Sequence, residues 1–193
     1  MRKPTVKSLA IAVIPCIAVA GQLPPPAHPD VFRGQVASLK QPIAWLTMGP
    51  LRVQLEETPL SRVRDLVKSG SIAHQGDGGE SLHWLCYTAG TGVSTQRVWI
   101  VSSVMGGGRV NSVQAERAPD AAPTASCPQL PAKFLPLNLD HGGWIGEASH
   151  ATVGWTTYGY AGKRGKFDVT SELAVQTSGG KVVSLSASRI TSD

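Results

Sequence analysis

The residues able to do chemistry in this 193-residue chain are few and scattered. The five histidines are His28, His74, His83, His141 and His150, and no two stand in the H-x-x-x-H spacing that puts a pair of imidazoles on one helix face. His74 near Asp77, and Asp140 beside His141, read as loop polarity. Residues 75–80 (QGDGGE) have the composition of a cation loop but lack the alternating oxygen ligands of an EF-hand, and they read as a turn. Residues 105–109 (MGGGR) match neither a phosphate-cradling Walker loop nor a dinucleotide-binding loop. No G-x-S-x-G nucleophile elbow occurs, and no carboxylates are paired at helical or strand spacing for glycosidase chemistry. The sequence therefore offers no catalytic residue, no metal ligands and no cofactor, and a non-enzymatic role is expected.

The cysteines say more. Cys16 falls in an apolar stretch near the N-terminus; Cys86 and Cys127 are the other two. Two thiols in an exported chain most simply pair, and the predicted Cys86–Cys127 bond would close a loop of 41 residues. Loop-closure entropy makes such a bond worth about 4 kcal/mol. Two cysteines that far apart, without a histidine pair, do not suggest zinc.

Export is expected from the first 20 residues. Arg2, Lys3 and Lys7 form a basic head, residues 9–20 (LAIAVIPCIAVA) run apolar, and Ala18-Val19-Ala20 is a cleavage signal before Gly21. The apolar run is far shorter than the roughly 20 residues that span a bilayer, which argues against an uncleaved anchor. Val13, Ile14 and Pro15 do not make a lipidation signal before Cys16. The expected product is periplasmic or secreted, with no membrane anchor. Removing the leader lowers the net charge from +5 to +2. The remaining cluster at 163–166 (KRGK) reads as a solvated turn, so nucleic acid is not an expected partner.

These residues must be positioned by elements the sequence partly announces. Residues 21–42 carry five prolines and read as an extended N-terminal arm; residues 118–136 are a second Pro/Ala-rich stretch and read as a connector. Between and after them lie two segments, 43–117 and 137–193. Residues 58–70 predict a helix, with Thr58 as N-cap, Pro59 at the first helical position, Val63, Leu66 and Val67 on its inner face, and Gly70 as its stop. Residues 82–87, 97–101 and 109–115 predict strands, as do 155–160, 167–176 and 181–186. A second helix has room only at 147–153.

The two segments share motifs at nearly one offset. Trp84-Leu85-Cys86-Tyr87 matches Trp155-Thr156-Thr157-Tyr158, 71 residues on, and the G-[RK]-V-x-S motif at Gly108 recurs at Gly180, 72 residues on. A fixed offset is the mark of an internal repeat. The pattern of a helix, then an antiparallel meander with an early Trp and a late G-[RK]-V, resembles the small outer-membrane assembly lipoproteins of the SmpA/OmlA family. It also resembles the β-lactamase inhibitor proteins, which carry such a unit twice. The resemblance implies an α+β fold of two tandem helix–meander repeats, the second helix shortened, and a sheet face that grips another protein.

Strand alternation sorts the aromatics. Trp84 and its mate Trp155 are expected in the core. Trp99, with Arg97, is expected on the opposite face, as are Tyr87, Tyr158 and Tyr160, unless a helix or the N-terminal arm covers that face. Exposed Trp, Tyr and Arg are the residue types that anchor protein interfaces. The expected function is an exported protein-binding module of the inhibitor, immunity or envelope-assembly kind, with another protein of the envelope or exterior as partner. The alternatives are a small hydrolase whose residues assemble only in space, and a structural or ligand-binding envelope protein.

Overall fold

The computed structural model describes residues 22–26, 36–140, 144–146 and 154–193. The predicted leader and the predicted second helix at 147–153 lie outside the described residues.

Short hairpins and two longer meanders build nearly everything. The strands are β1 (Val36–Ser38), β2 (Trp45–Met48), β3 (Leu51–Gln54), β4 (Ala73–Gln75), β5 (Leu82–Ala89), β6 (Gln96–Ser103), β7 (Ser112–Arg117), β8 (Leu137–Leu139), β9 (Gly154–Arg164), β10 (Phe167–Ser178) and β11 (Lys181–Ser192). One α-helix, α1 (Leu60–Val67), stands among them. Eight strands form a sheet in the order β1-β9-β10-β11-β7-β6-β5-β4, and β3-β2-β8 form a second, smaller sheet.

The expected α+β fold of two helix–meander repeats is thereby corrected: the described chain is mostly β, with eleven strands in two sheets and a single α-helix. The two meanders are present as β5–β6–β7 and β9–β10–β11. They do not form separate units. Their last strands pair with each other, Leu185 opposite Ala115 and Ala187 opposite Val113, so that both belong to one continuous sheet. This strand order is that of an approximate two-fold axis normal to the sheet at the β7–β11 seam. The sequence reading also left β2, β3 and β8 unassigned. They are three or four residues long, too short to show a period, and β8 meets β2 only across 89 or more residues of chain.

Local chemistry accounts for the details. β10 and β11 are joined by Gly179-Gly180, both with positive φ (57° and 70°), the geometry a two-residue hairpin needs to follow the right-handed twist. The helix begins one residue later than expected. Pro59 occupies the cap position, and the Thr58 hydroxyl instead accepts a hydrogen bond from the Gln54 N–H at 2.9 Å. The helix ends before Gly70, at Lys68, whose left-handed backbone directs its N–H to the Arg64 carbonyl. Leu60, Val63 and Val67 are its buried residues.

The large sheet is covered along one face, and on the other face over β5 and β6. On one side α1 and the small sheet bury the main core, where Leu46, Met48, Val53, Val63, Leu85 and Ile100 are inaccessible to water. On the other side of β5 and β6 lies a second cluster: Ala73, Trp84, Cys86, Trp99, Val101 and Cys127, with Leu23 packed against it. The Cys86–Cys127 disulfide sits there, as predicted, and fastens the connector to β5. Among the described residues no helix is long and apolar enough to cross a membrane.

Candidate functional site

The residues expected to form an exposed aromatic face are split between the two cores. Antiparallel pairing sets Trp99 opposite Cys86 and Trp84 opposite Val101, so both tryptophans share one face of the sheet. Trp99 is 1% exposed. Its indole N–H and that of Trp84 donate to the same carbonyl, that of Leu23, at 3.2 and 2.9 Å. Part of the proline-rich arm, residues 22–26, thus supplies the acceptor that two buried donors require. Tyr87 lies on the opposite face, wholly inaccessible in the main core, its hydroxyl donating to the Ser69 carbonyl at 3.1 Å. Burial holds its phenol above the usual tyrosine range.

Tyr158 and Tyr160 also face the main core, opposite Leu173 and Ser171, and both are half-buried. The Tyr160 ring lies over Gly162, where an added Cβ would stand 2.3 Å from its hydroxyl. Arg97 is half-buried on the Trp99 side, directly opposite Glu116. Burial raises the Glu116 carboxyl above its ordinary value, and the Arg97 charge partly offsets this. Expected exposure of Trp99 and Tyr87 is therefore corrected to burial. Trp155, expected in the core, is 42% exposed. Alternation within each strand was read correctly. The phase between strands was not legible, and neither was the cover laid over one of them.

The surface instead gathers its apolar side chains at a cleft of about 860 Å³ between the β3–α1 loop, the loop before β7, the β9–β10 hairpin and the end of β11. Val104, Met105 and Phe167 line it at 45%, 59% and 36% exposure, three of the five large exposed hydrophobics among the described residues. Arg109, Arg164 and Arg189 line it too. Its floor is fixed by Glu56, which has a left-handed backbone (φ 65°). The Glu56 carboxylate accepts hydrogen bonds from the Thr191 backbone N–H and, at 2.7 Å, from the Thr191 hydroxyl. Arg189 Nε stands 3.1 Å from the same carboxylate as an ion pair without hydrogen-bond alignment. Arg109 reaches the Glu56 carbonyl at 3.3 Å. Backbone bonds from Glu56 to Val110, Val110 to Thr58 and Leu60 to Gly108 clamp the two loops together. With its carboxylate engaged by Arg189 and Thr191, Glu56 is an anchor for the cleft wall and is poorly placed to accept a substrate proton. The arrangement suits recognition: a basic rim around apolar side chains. In sequence these residues come from four distant stretches, and only the basic 163–166 run and the Gly-rich 106–108 loop stood out.

A second grouping was missed. His74 and His83 are directly opposite in the β4–β5 pair, with ring centroids 4.5 Å apart. Both Nε2 atoms reach the Ser81 hydroxyl, at 3.2 and 3.1 Å. The sequence signal was the hairpin around residues 76–81, but β4 is only three residues long and its register could not be read. No group of three or more His, Cys, Asp or Glu side chains suited to a metal occurs among the described residues.

No protein-family model, curated protein or solved structure matches this chain.

Proposed function

We propose that this chain is an exported, non-enzymatic protein-binding module, and that the cleft between the Glu56 loop and the β9–β10 hairpin takes an acidic, apolar-bearing segment of its partner. The observation that carries this reading is the meeting of Val104, Met105 and Phe167 with Arg109 and Arg164 around one opening. Exposed large apolar side chains gathered at one place mark interaction sites more often than singly scattered ones do. Arginine adds a donor fork that matches carboxylates. Among the lining residues Arg109 and Arg164 outnumber the acid Glu57, once Glu56 and Arg189 are set against each other. An acidic partner fits that balance. The disulfide and the leader-like first 20 residues support export to a periplasm or the cell exterior.

The test is site-specific photo-crosslinking in the native host. A photoreactive residue at Met105 should give a discrete protein adduct, which Arg109→Glu and Arg164→Glu together abolish while circular dichroism shows the fold intact. The same probe at exposed Lys40, away from the cleft, should give none. No adduct at Met105, or equal adducts at both positions, rejects the reading.

A further inference from the structure

We propose that His74 and His83 form a two-imidazole site for a divalent transition metal, filled most tightly by Cu(II). The edge hairpin of the large sheet fixes the two histidines in direct register, so their Cα positions do not depend on a flexible loop. Both Nε2 atoms converge on one point, now held by the Ser81 hydroxyl at 3.1 and 3.2 Å. That hydroxyl has a single hydrogen and satisfies one ring nitrogen as donor; the other ring must present an N–H to it, so the two rings adopt opposite tautomers. A metal ion asks for a lone pair from each ring at about 2.0–2.1 Å, roughly 1 Å nearer than the hydroxyl. Turning Ser81 about its single side-chain torsion vacates the point, and small ring rotations close the distance without moving the strands. His74 is exposed, which gives an entry path, and water completes the coordination.

Neutral imidazole is the commonest protein ligand for such ions. Two nitrogens with water favour Cu(II) over Ni(II) and Zn(II) by the ordinary order of divalent affinities. The site stands apart from the cleft and does not depend on the reading given to it.

The experiment is a titration of the metal-free, untagged chain with CuCl2 at neutral pH, followed by calorimetry and by electron paramagnetic resonance. The expected result is one Cu(II) per chain with two imidazole nitrogens coupled to it. His74→Ala and His83→Ala should each weaken binding by about tenfold or more, with circular dichroism unchanged because His74 is exposed and His83 only half-buried. Ser81→Ala should bind at least as tightly as the parent, since the hydroxyl only holds the metal's place. Three outcomes overturn the proposal: no saturable Cu(II), a spectrum without imidazole coupling, or affinities within twofold of the parent in both histidine variants. Each is read independently of any protein partner.

Discussion

Replacing both Cys86 and Cys127 by alanine should cost the protein about 4–5 kcal/mol of stability while leaving its fold intact. The larger part comes from the unfolded chain. The bond spans 41 residues, and the loop-closure relation gives about 4 kcal/mol for that length at 25 °C. A smaller part, about 1 kcal/mol or less, comes from two sulfurs lost at sites only 1% exposed. The native connector should stay in place because other bonds hold it. The Thr88 N–H donates to the Pro128 carbonyl at 2.9 Å, the Leu130 N–H to the Thr88 carbonyl at 2.8 Å, and the Thr88 hydroxyl to the Cys127 carbonyl at 3.1 Å. Leu130 is itself buried in the main core. A loss of this size is a third or more of the stability of a typical domain. Equilibrium urea unfolding, followed by tryptophan fluorescence and circular dichroism, measures it; Trp84 and Trp99 flank the bond and report on it directly. The parent chain kept reduced in dithiothreitol should match the double variant within about 1 kcal/mol. A loss below about 1 kcal/mol in both would refute the reasoning, since the unfolded chain would then have to be compact around this loop without the bond.

Other outcomes are equally specific. Trp84→Ala and Trp99→Ala should each destabilise by about 3–5 kcal/mol in the same assay, whereas Trp155→Ala, on the exposed side of β9, should fall within about 0.5 kcal/mol of the parent. Glu56→Ala should cost about 2–3 kcal/mol, since it removes a charged acceptor from the Thr191 hydroxyl and backbone and leaves Arg189 unpaired. Glu116→Gln should raise stability at neutral pH. A carboxyl whose folded pKa is raised contributes most below its unfolded value and loses that contribution as pH rises through the folded value. The gain from Glu116→Gln should therefore vanish in urea melts taken below the ordinary glutamate range. Intact-mass measurement of chain recovered from the exterior or periplasm of its host should give a product starting at Gly21, without lipid.

The sequence carried the long strands well and the long-range geometry poorly. The strand expectations at 82–87, 97–101, 155–160, 167–176 and 181–186 all fall within β5, β6, β9, β10 and β11, because β-branched and aromatic runs between glycine-rich turns survive any tertiary setting. The disulfide was legible for a similar reason: only two cysteines lay beyond the leader-like segment. Trp99 shows where the signal stops. Its neighbours Val98 and Ile100 point into the main core, as expected, but the other side of the strand is also buried, under Leu23 from 76 residues away. Period two distinguishes the faces of a strand and cannot say that both are dry. The cleft draws on four loops, and the histidine pair rests on the register of a three-residue strand. Neither has a local period to read.

The seam between the meanders has a consequence for how the chain is completed. β7 takes one neighbour, β6, from nearby sequence, but its other edge waits for β11, whose pairing residues lie about 70 positions further on. Chains emerge N-terminus first, so β5, β6 and the disulfide can be in place while the outer edge of β7 still offers unpaired backbone groups. An open edge of that kind templates pairing with a second chain. The last twelve-residue strand therefore acts as a closing stitch: it converts a sheet that invites intermolecular addition into one whose long central strands are all paired. Truncation ahead of Ser184, which removes every residue paired with β7, would show first as association between chains, before any loss of the tryptophan core.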